Sequence, residues 1–278
     1  MTDRRTILIT GCSSGIGEAC ARGMKARGWR VFATARKKED LDRLAAEGFE
    51  VVALDYADRQ AVALCAERIA DLAGGRLDAL FNNGAYGQPG AVEDLRRDVL
   101  EAQFAANVFG WHQLTQACLP LFRANGGGRI VHCSSVLGLV ALKWRGAYNA
   151  SKFAIEALAD TQRLELRGSN IFVSLIEPGP IRSRFVEHAL EAFNRNIDEG
   201  RSPYAVAYVR QRQRLGRGGS SRFKLGPEAV LAKLVHAAES PRPRARYRVT
   251  WPTTAMALAR RLLPQRLHDY MMDWASDQ

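Results

Sequence analysis

The feature that most constrains this chain lies near its start. The short apolar run Ile7-Leu8-Ile9 passes directly into Thr10-Gly11-Cys12-Ser13-Ser14-Gly15-Ile16-Gly17 and then into a helical pattern. A strand that turns into a helix through three glycines reads as a βα unit whose turn lets a ligand approach the backbone. Free amides at that helix start favour an anion such as a pyrophosphate. Gly11, Ser13, Ser14, Gly15, Ile16 and Gly17 are therefore candidate cofactor-binding residues. The spacing is G-x-x-x-G-x-G rather than G-x-G-x-x-G, and taken alone such a turn fits a structural role equally well.

Short apolar runs alternate with longer amphipathic ones as far as Pro178, the pattern of a parallel sheet with helices on its faces. Strands are predicted at Thr6–Thr10, Arg30–Ala35, Glu50–Leu54, Ala79–Asn82, Arg129–Cys133 and Ile171–Ile176. Helices are predicted at 15–27, 39–47, 58–73, 95–124 and 148–168. The fold class is α/β: a Rossmann-like, doubly wound parallel sheet with helices on both faces, its ligand at the carboxyl ends of the strands. Beyond Pro178 the rhythm breaks into an Arg-, Gly-, Ser- and aromatic-rich segment. A helix near 227–239, a short strand at 246–250 and a tail follow. With no repeat and no linker, residues 1–278 read as one domain: a dinucleotide-binding and catalytic core at 1–182, a substrate lid at 183–225, and a C-terminal helix, strand and tail at 226–278.

Two further clusters carry chemistry. An NAD-binding βαβ unit usually ends its second strand with an acidic group for the ribose 2′-hydroxyl. Here Ala35 fills that slot and Arg36-Lys37-Lys38 follow it, so charge favours a 2′-phosphate and Arg36 can grip it through two bonds. The cofactor expected is NADP; the competing reading is a solvated basic loop. The other cluster is Cys133-Ser134-Ser135 at a strand end, followed by Tyr148-Asn149-Ala150-Ser151-Lys152 opening a helix. Tyr148 and Lys152, four apart, share a helical face that a strand-end serine can meet. A tyrosine with an ordinary pKa of about 10 needs help to move protons near neutrality, and a nearby ammonium such as Lys152 could lower it.

Taken in order, these motifs resemble the classical short-chain dehydrogenases/reductases over nearly all of the first 185 residues. The resemblance rests on Thr10–Gly17, Asp55, Asn82-Asn83-Gly84-Ala85, Asn107-Val108-Phe109-Gly110, Ser135, Tyr148–Lys152 and Pro178-Gly179. It implies that Tyr148 exchanges the proton and Ser135 holds the substrate oxygen, with Ser134 the less favoured serine. By the same resemblance Lys152 binds the nicotinamide ribose and lowers the tyrosine pKa, while Asn107 supports a water relay. Asp55 would meet the adenine, Asn83 and Gly84 the adenosine ribose region, and Pro178, Gly179, Ile181 and Ser183 the nicotinamide side. Thr10–Gly17, Ala33-Thr34-Ala35-Arg36 and Glu177-Pro178-Gly179-Pro180 resemble the branch holding 17β-hydroxysteroid and retinol dehydrogenases and NADP-dependent aldehyde reductases. The implied activity is hydride transfer between NADP(H) and a lipophilic aldehyde, ketone or secondary alcohol. Val136–Leu142 and Phe185, Leu190, Phe193, Tyr204 and Tyr208 supply apolar surface for such a substrate, or simply pack the lid on the body.

The formal charge of +11 arises almost wholly after residue 181. It fits a solvated arginine-rich surface, or nucleic acid contacts at Arg210–Arg222. A non-catalytic NADP(H)-binding regulator and a basic RNA-binding protein are the alternative functions; Tyr148 and Lys152 speak against the first and the lack of an RNA-binding module against the second. The five scattered cysteines, the short first apolar run and the absence of any long one point to a reducing, cytoplasmic protein. His112, His132, His188, His236 and His268 lack metal-ligand spacing, so no metal is expected. The tail from Met256 mixes cations with leucines; Pro264 interrupts it, and docking on the body is favoured over lying on a membrane. The apolar faces of 95–124 and 148–168 suggest a homodimer or homotetramer.

Overall fold

The computed structural model describes residues 4–217 and 223–277. Seven strands, β1 (Thr6–Ile9), β2 (Arg30–Ala35), β3 (Glu50–Ala53), β4 (Ala79–Asn82), β5 (Gly128–Cys133), β6 (Ile171–Glu177) and β7 (Arg246–Arg248), form one sheet in the order β3-β2-β1-β4-β5-β6-β7. Every pairing is parallel. Strand order reverses between β1 and β4, so the crevice beyond their carboxyl ends is where such a sheet takes a ligand. Both strands are buried along their whole length, as a sheet covered on both faces requires.

The crossover helices are α1 (Gly15–Ala26), α2 (Lys38–Ala46), α3 (Arg59–Leu72), α4 (Arg97–Phe104), α5 (Gly110–Ala124) and α6 (Gly146–Glu165). Beyond β6 come α7 (Phe185–Asn196), α8 (Ala205–Gly216), α9 (Glu228–Glu239), α10 (Trp251–Leu262) and α11 (Gln265–Asp277). Helices α1 and α9 pack on each other, and Gly23 of α1 leaves the room that Leu231 of α9 fills. Helices α3 and α5 also pack together. None of the helices among the described residues is long and apolar enough to cross a membrane. All five cysteines are buried free thiols.

The strands and crossovers fall where the sequence predicts them, with three differences. The single helix expected over 95–124 is broken into α4, a π-helical turn at Ala105–Phe109, and α5. The wide turn carries Asn107, whose amide bonds the Tyr86 backbone; such bulges concentrate at functional sites. The last strand stops at Arg248, because Thr250 caps α10 through its hydroxyl, which accepts from Thr253 N. The lid segment is mostly helical, and its basic stretch is described only to Arg217. Residues 218–222, including Arg222, lie outside the described residues. Within the described part, Arg212 pairs with Glu199, and Arg214 donates to the Ser276 carbonyl at 3.0 Å.

A buried threonine ties the ends of β1 and β4 together. Thr10 Oγ1 accepts from Asn83 N at 2.8 Å, Gly84 N at 3.1 Å and Tyr56 Oη at 3.0 Å, and its own hydroxyl donates to the Phe81 carbonyl at 3.3 Å. Replacing it with an isosteric apolar residue leaves buried donors unmatched, each costing about 1–3 kcal/mol. Thr10→Val is therefore expected to lose about 2–4 kcal/mol in urea unfolding; a loss below about 0.5 kcal/mol would show that the hub is not holding this junction.

Candidate active site

The glycine turn has the backbone the sequence requires and the uncapped helix that an anion needs. Gly11 and Gly15 take left-handed φ values of 68° and 60°. A Cβ on Gly11 would lie 2.6 Å from Gly84 Cα, and one on Gly17 would drive into the Gly11 carbonyl oxygen. Ser14 is the N-cap of α1, yet its side chain makes no capping bond, so no hydroxyl takes the first-turn amides. This donor set fits a dinucleotide pyrophosphate. Arg43 braces the turn from outside, donating to the Ser13 carbonyl at 2.7 Å.

At the neighbouring strand ends Arg36 and Asp55 lie side by side, 4.0 Å apart, with the arginine side chain 70% exposed. Both stand where an adenosine moiety would lie if the pyrophosphate occupied the turn. Asn83 lies directly behind the turn. Its amide donates to the carbonyls of Thr10 at 2.9 Å and Gly11 at 3.4 Å, so the side chain supports the turn from behind. The exchanged order Gly84-Ala85 keeps the close approach to Gly11, and Trp111 Nε1 fixes the Gly84 carbonyl at 2.7 Å.

Ser135, Tyr148, Lys152 and Asn107 are brought to the ends of β4, β5 and α6. Ser135 Oγ accepts from Leu137 N at 3.1 Å, and the serine hydroxyl stands beside the Tyr148 phenol. Ser134, its neighbour, is buried on the other side against Gly138 and Glu156, which leaves Ser135 as the serine facing the tyrosine. Asn107 donates to the Tyr86 carbonyl at 2.9 Å and to Ser151 Oγ at 3.2 Å. Lys152 Nζ donates to the Cys133 carbonyl at 2.7 Å and sits over the rings of Trp111, 4.3 Å away, and Tyr148, 5.6 Å away.

The electrostatics differ from the sequence expectation in one respect. Burial pushes the Tyr148 phenol well above its ordinary pKa, and the Ser135 hydroxyl beside it only partly opposes this. Lys152 does not overcome that effect, because burial brings the lysine itself down to about 8. His132 lies on the far side of Trp111, stacked on it at 5.9 Å, and burial followed by the Lys152 charge takes it down to about 4. It is a neutral histidine held by Asn82 at 3.2 Å rather than an acid or base of the site.

Residues 181–185 reach both halves of the crevice. Ser183 packs against the turn, its Cβ 2.8 Å from where a Cβ on Gly15 would stand. Ile181 bridges to Leu225, and the Leu225 N–H donates to the Pro180 carbonyl at 3.2 Å, joining the lid's two ends. Gly179 is pressed against Thr250 and Thr253, while the Pro178 carbonyl accepts from Val136 N at 2.8 Å. The lid aromatics divide. Phe193, Tyr204 and Tyr208 form a small core with Trp144 and Ala91, whereas Phe185 packs at a tilt against Tyr148, ring centroids 5.2 Å apart. Trp144, which sequence reasoning passed over, has a left-handed φ of 63°, a strained value for a bulky residue, just before the catalytic helix.

Comparison with known proteins places this geometry. The family model described as short chain dehydrogenase matches residues 5–193. The chain is 42% identical over 269 residues to the uncharacterized oxidoreductase YbbO of Escherichia coli, covering 97% of this chain and 94% of that protein. It is 36% identical over 217 residues to retinol dehydrogenase 8 of Homo sapiens, covering 74% of this chain and 68% of that protein. A short chain dehydrogenase/reductase from Burkholderia phymatum, solved in complex with NAD, superposes with a TM-score of 0.78 at 26% identity, over 98% of this chain and 96% of that one.

The buried ammonium makes the site testable by stability. Lys152 has a depressed pKa, so its destabilising charge is fully present below about 8 and is relieved as pH rises from there toward the unfolded value of about 10.4. Lys152→Met should melt no lower than the parent at pH 7, with any advantage shrinking above pH 8. A clearly lower melting temperature at pH 7 would mean that the bonds to Cys133 and Trp111 outweigh burial.

Proposed function

This chain belongs to the short-chain dehydrogenase family, and on that footing we propose that it is an NADP(H)-dependent oxidoreductase acting on a lipophilic aldehyde, ketone or secondary alcohol. The observation that carries the cofactor preference is Arg36: an exposed guanidinium beside Asp55, at the end of a β2 that closes on Ala35 instead of a carboxylate. Gly11, Ser13, Ser14, Gly15, Ile16 and Gly17 would hold the pyrophosphate, with Asp55 and Gly84 on the adenosine side. Pro178, Gly179, Ile181, Ser183 and Lys152 would lie on the nicotinamide side. When bound, the nicotinamide supplies or takes the hydride.

The chain's own residues handle the proton. With its pKa raised by burial, Tyr148 is protonated at neutral pH, the state needed to donate a proton to a carbonyl oxygen as it becomes a hydroxyl. Ser135, beside Tyr148, holds that oxygen. Lys152 places positive charge beside the phenol and stabilises the phenolate left behind. Asn107, bound to Tyr86 and Ser151, positions the floor of the site.

Phe185 over Tyr148, Val136–Leu142 beside it and the lid over residues 183–225 support the apolar substrate class, as does the similarity to a retinol dehydrogenase. Exposed Phe109, Leu158 and Leu164, on the segments whose apolar faces suggested pairing, support self-association there.

Turnover of a panel of lipophilic carbonyls with NADPH and NADH tests the reading. Tyr148→Phe should lower kcat/KM by about 10²–10⁴-fold with the fold unchanged. Turnover equal to the parent would remove the tyrosine from the chemistry. Arg36→Asp should shift the NADPH-over-NADH preference by about tenfold to a hundredfold, the weight of a charge-assisted pair of about 1.5–3 kcal/mol. An unchanged ratio would assign the 2′-phosphate to other residues.

A further inference from the structure

The C-terminal helix pair has a docked side and an open side. On α11, His268, Met272 and Ser276 recur four apart and are buried, and Ser276 Oγ accepts from Lys143 N at 2.9 Å. The opposite side of the same helix carries Leu267, Tyr270 and Trp274, exposed by 58%, 79% and 61%. Helix α10 repeats the arrangement. Thr253 is buried, while Trp251, Leu258 and Leu262 fall on one stripe at helical spacing and are exposed by 63%, 55% and 67%. Phe223 of the lid packs edge-on against Trp251 at 5.1 Å and lengthens that stripe. Single exposed apolar residues are ordinary; two stripes at helical spacing on consecutive helices, with two tryptophans among them, form a surface.

The charges beside the stripes select what covers it. Arg261 flanks the α10 stripe and Arg266 lies beside Tyr270, and neither forms an ion pair among the described residues. On α11, Asp269 is engaged by Gln265 and Asp273 by Lys143. The helices have 12 and 13 residues, too few to span a bilayer and enough to lie in its interface. A second copy of the chain is the other candidate, but among the described side chains of this face it would offer Arg261 and Arg266 only Asp269 and Asp273, which Gln265 and Lys143 already engage.

We propose that the outward face of α10 and α11 docks on an anionic lipid bilayer, its Trp, Tyr and Leu side chains entering the headgroup region and Arg261 and Arg266 meeting the lipid phosphates. A bilayer supplies apolar depth and negative charge together, which is the combination this surface presents. The sequence expectation for the tail is thereby refined: its inner face docks on the body, and its outer face is left for lipid. This inference does not depend on the cofactor or substrate.

Flotation of the full chain with phosphatidylcholine vesicles, with and without about one-third phosphatidylserine, tests it. The parent should float with the anionic vesicles, and less as salt rises. Leu262→Asp with Trp274→Asp should lower partitioning more than about tenfold, and Arg261→Glu with Arg266→Glu by at least about fivefold per residue. All four positions are exposed, and an unchanged melting temperature verifies that each variant is folded. Three results would overturn the inference: a folded parent that fails to float with anionic vesicles, an apolar pair variant that floats as well as the parent, or an apolar pair variant whose mass by light scattering drops to half the parent's. The last would identify a second copy of the chain as the occupant.

Discussion

Two backbone segments, at the ends of β1 and β4, approach so closely that Gly11 tolerates no side chain at the point of contact. Gly11 meets Gly84 there, and Thr10 gathers the amides of residues 83 and 84, the Tyr56 phenol and the Phe81 carbonyl on a single hydroxyl. The crevice at the strand-order reversal exists because this junction is narrow and fully hydrogen-bonded. Asn83 and Trp111 extend the same network, one to the turn's carbonyls and the other to the Gly84 carbonyl. Trp111 then presents its ring to Lys152, so the cofactor end and the proton-transfer end of the site share one scaffold.

Burial sets the character of the proton-transfer end. It raises the tyrosine, lowers the lysine to about 8 and leaves His132 uncharged, so the groups around Trp111 carry at most one positive charge between them near neutrality. Charge placed in so apolar a setting interacts strongly with whatever enters. Phe185, its ring 5.2 Å from that of Tyr148, brings the segment after β6 into direct contact with the tyrosine.

Much of this was legible in the chain because it rests on local chemistry. The turn at Gly11–Gly17 follows from the need for left-handed backbone, the strands from apolar runs, and the facing of Tyr148 and Lys152 from helical spacing. What was not legible depends on tertiary partners. The π turn around Asn107 has no signature in the continuous apolar pattern of 95–124, since the cause is a side-chain bond to Tyr86 across a loop. The direction of Lys152 is set by the Cys133 carbonyl and the Trp111 ring, and the net rise of the tyrosine pKa follows from burial. In the lid, composition predicted apolar surface, but only packing divides Phe193 and Tyr208, consumed by their own small core, from Phe185 at the site. The same holds in the tail, where spacing implies two faces and burial shows which one the body uses.

The reading of this site as one that delivers hydride to a carbonyl carbon is tested most directly by isotope transfer. NADPH deuterated at the transferable C4 position would be incubated with the chain and a lipophilic aldehyde or ketone, and the alcohol analysed by mass spectrometry. Deuterium on the carbinol carbon of the product, absent when Tyr148 is replaced by Phe, is the predicted result. NADPH bound tightly with no label in any alcohol across the carbonyl panel would contradict it.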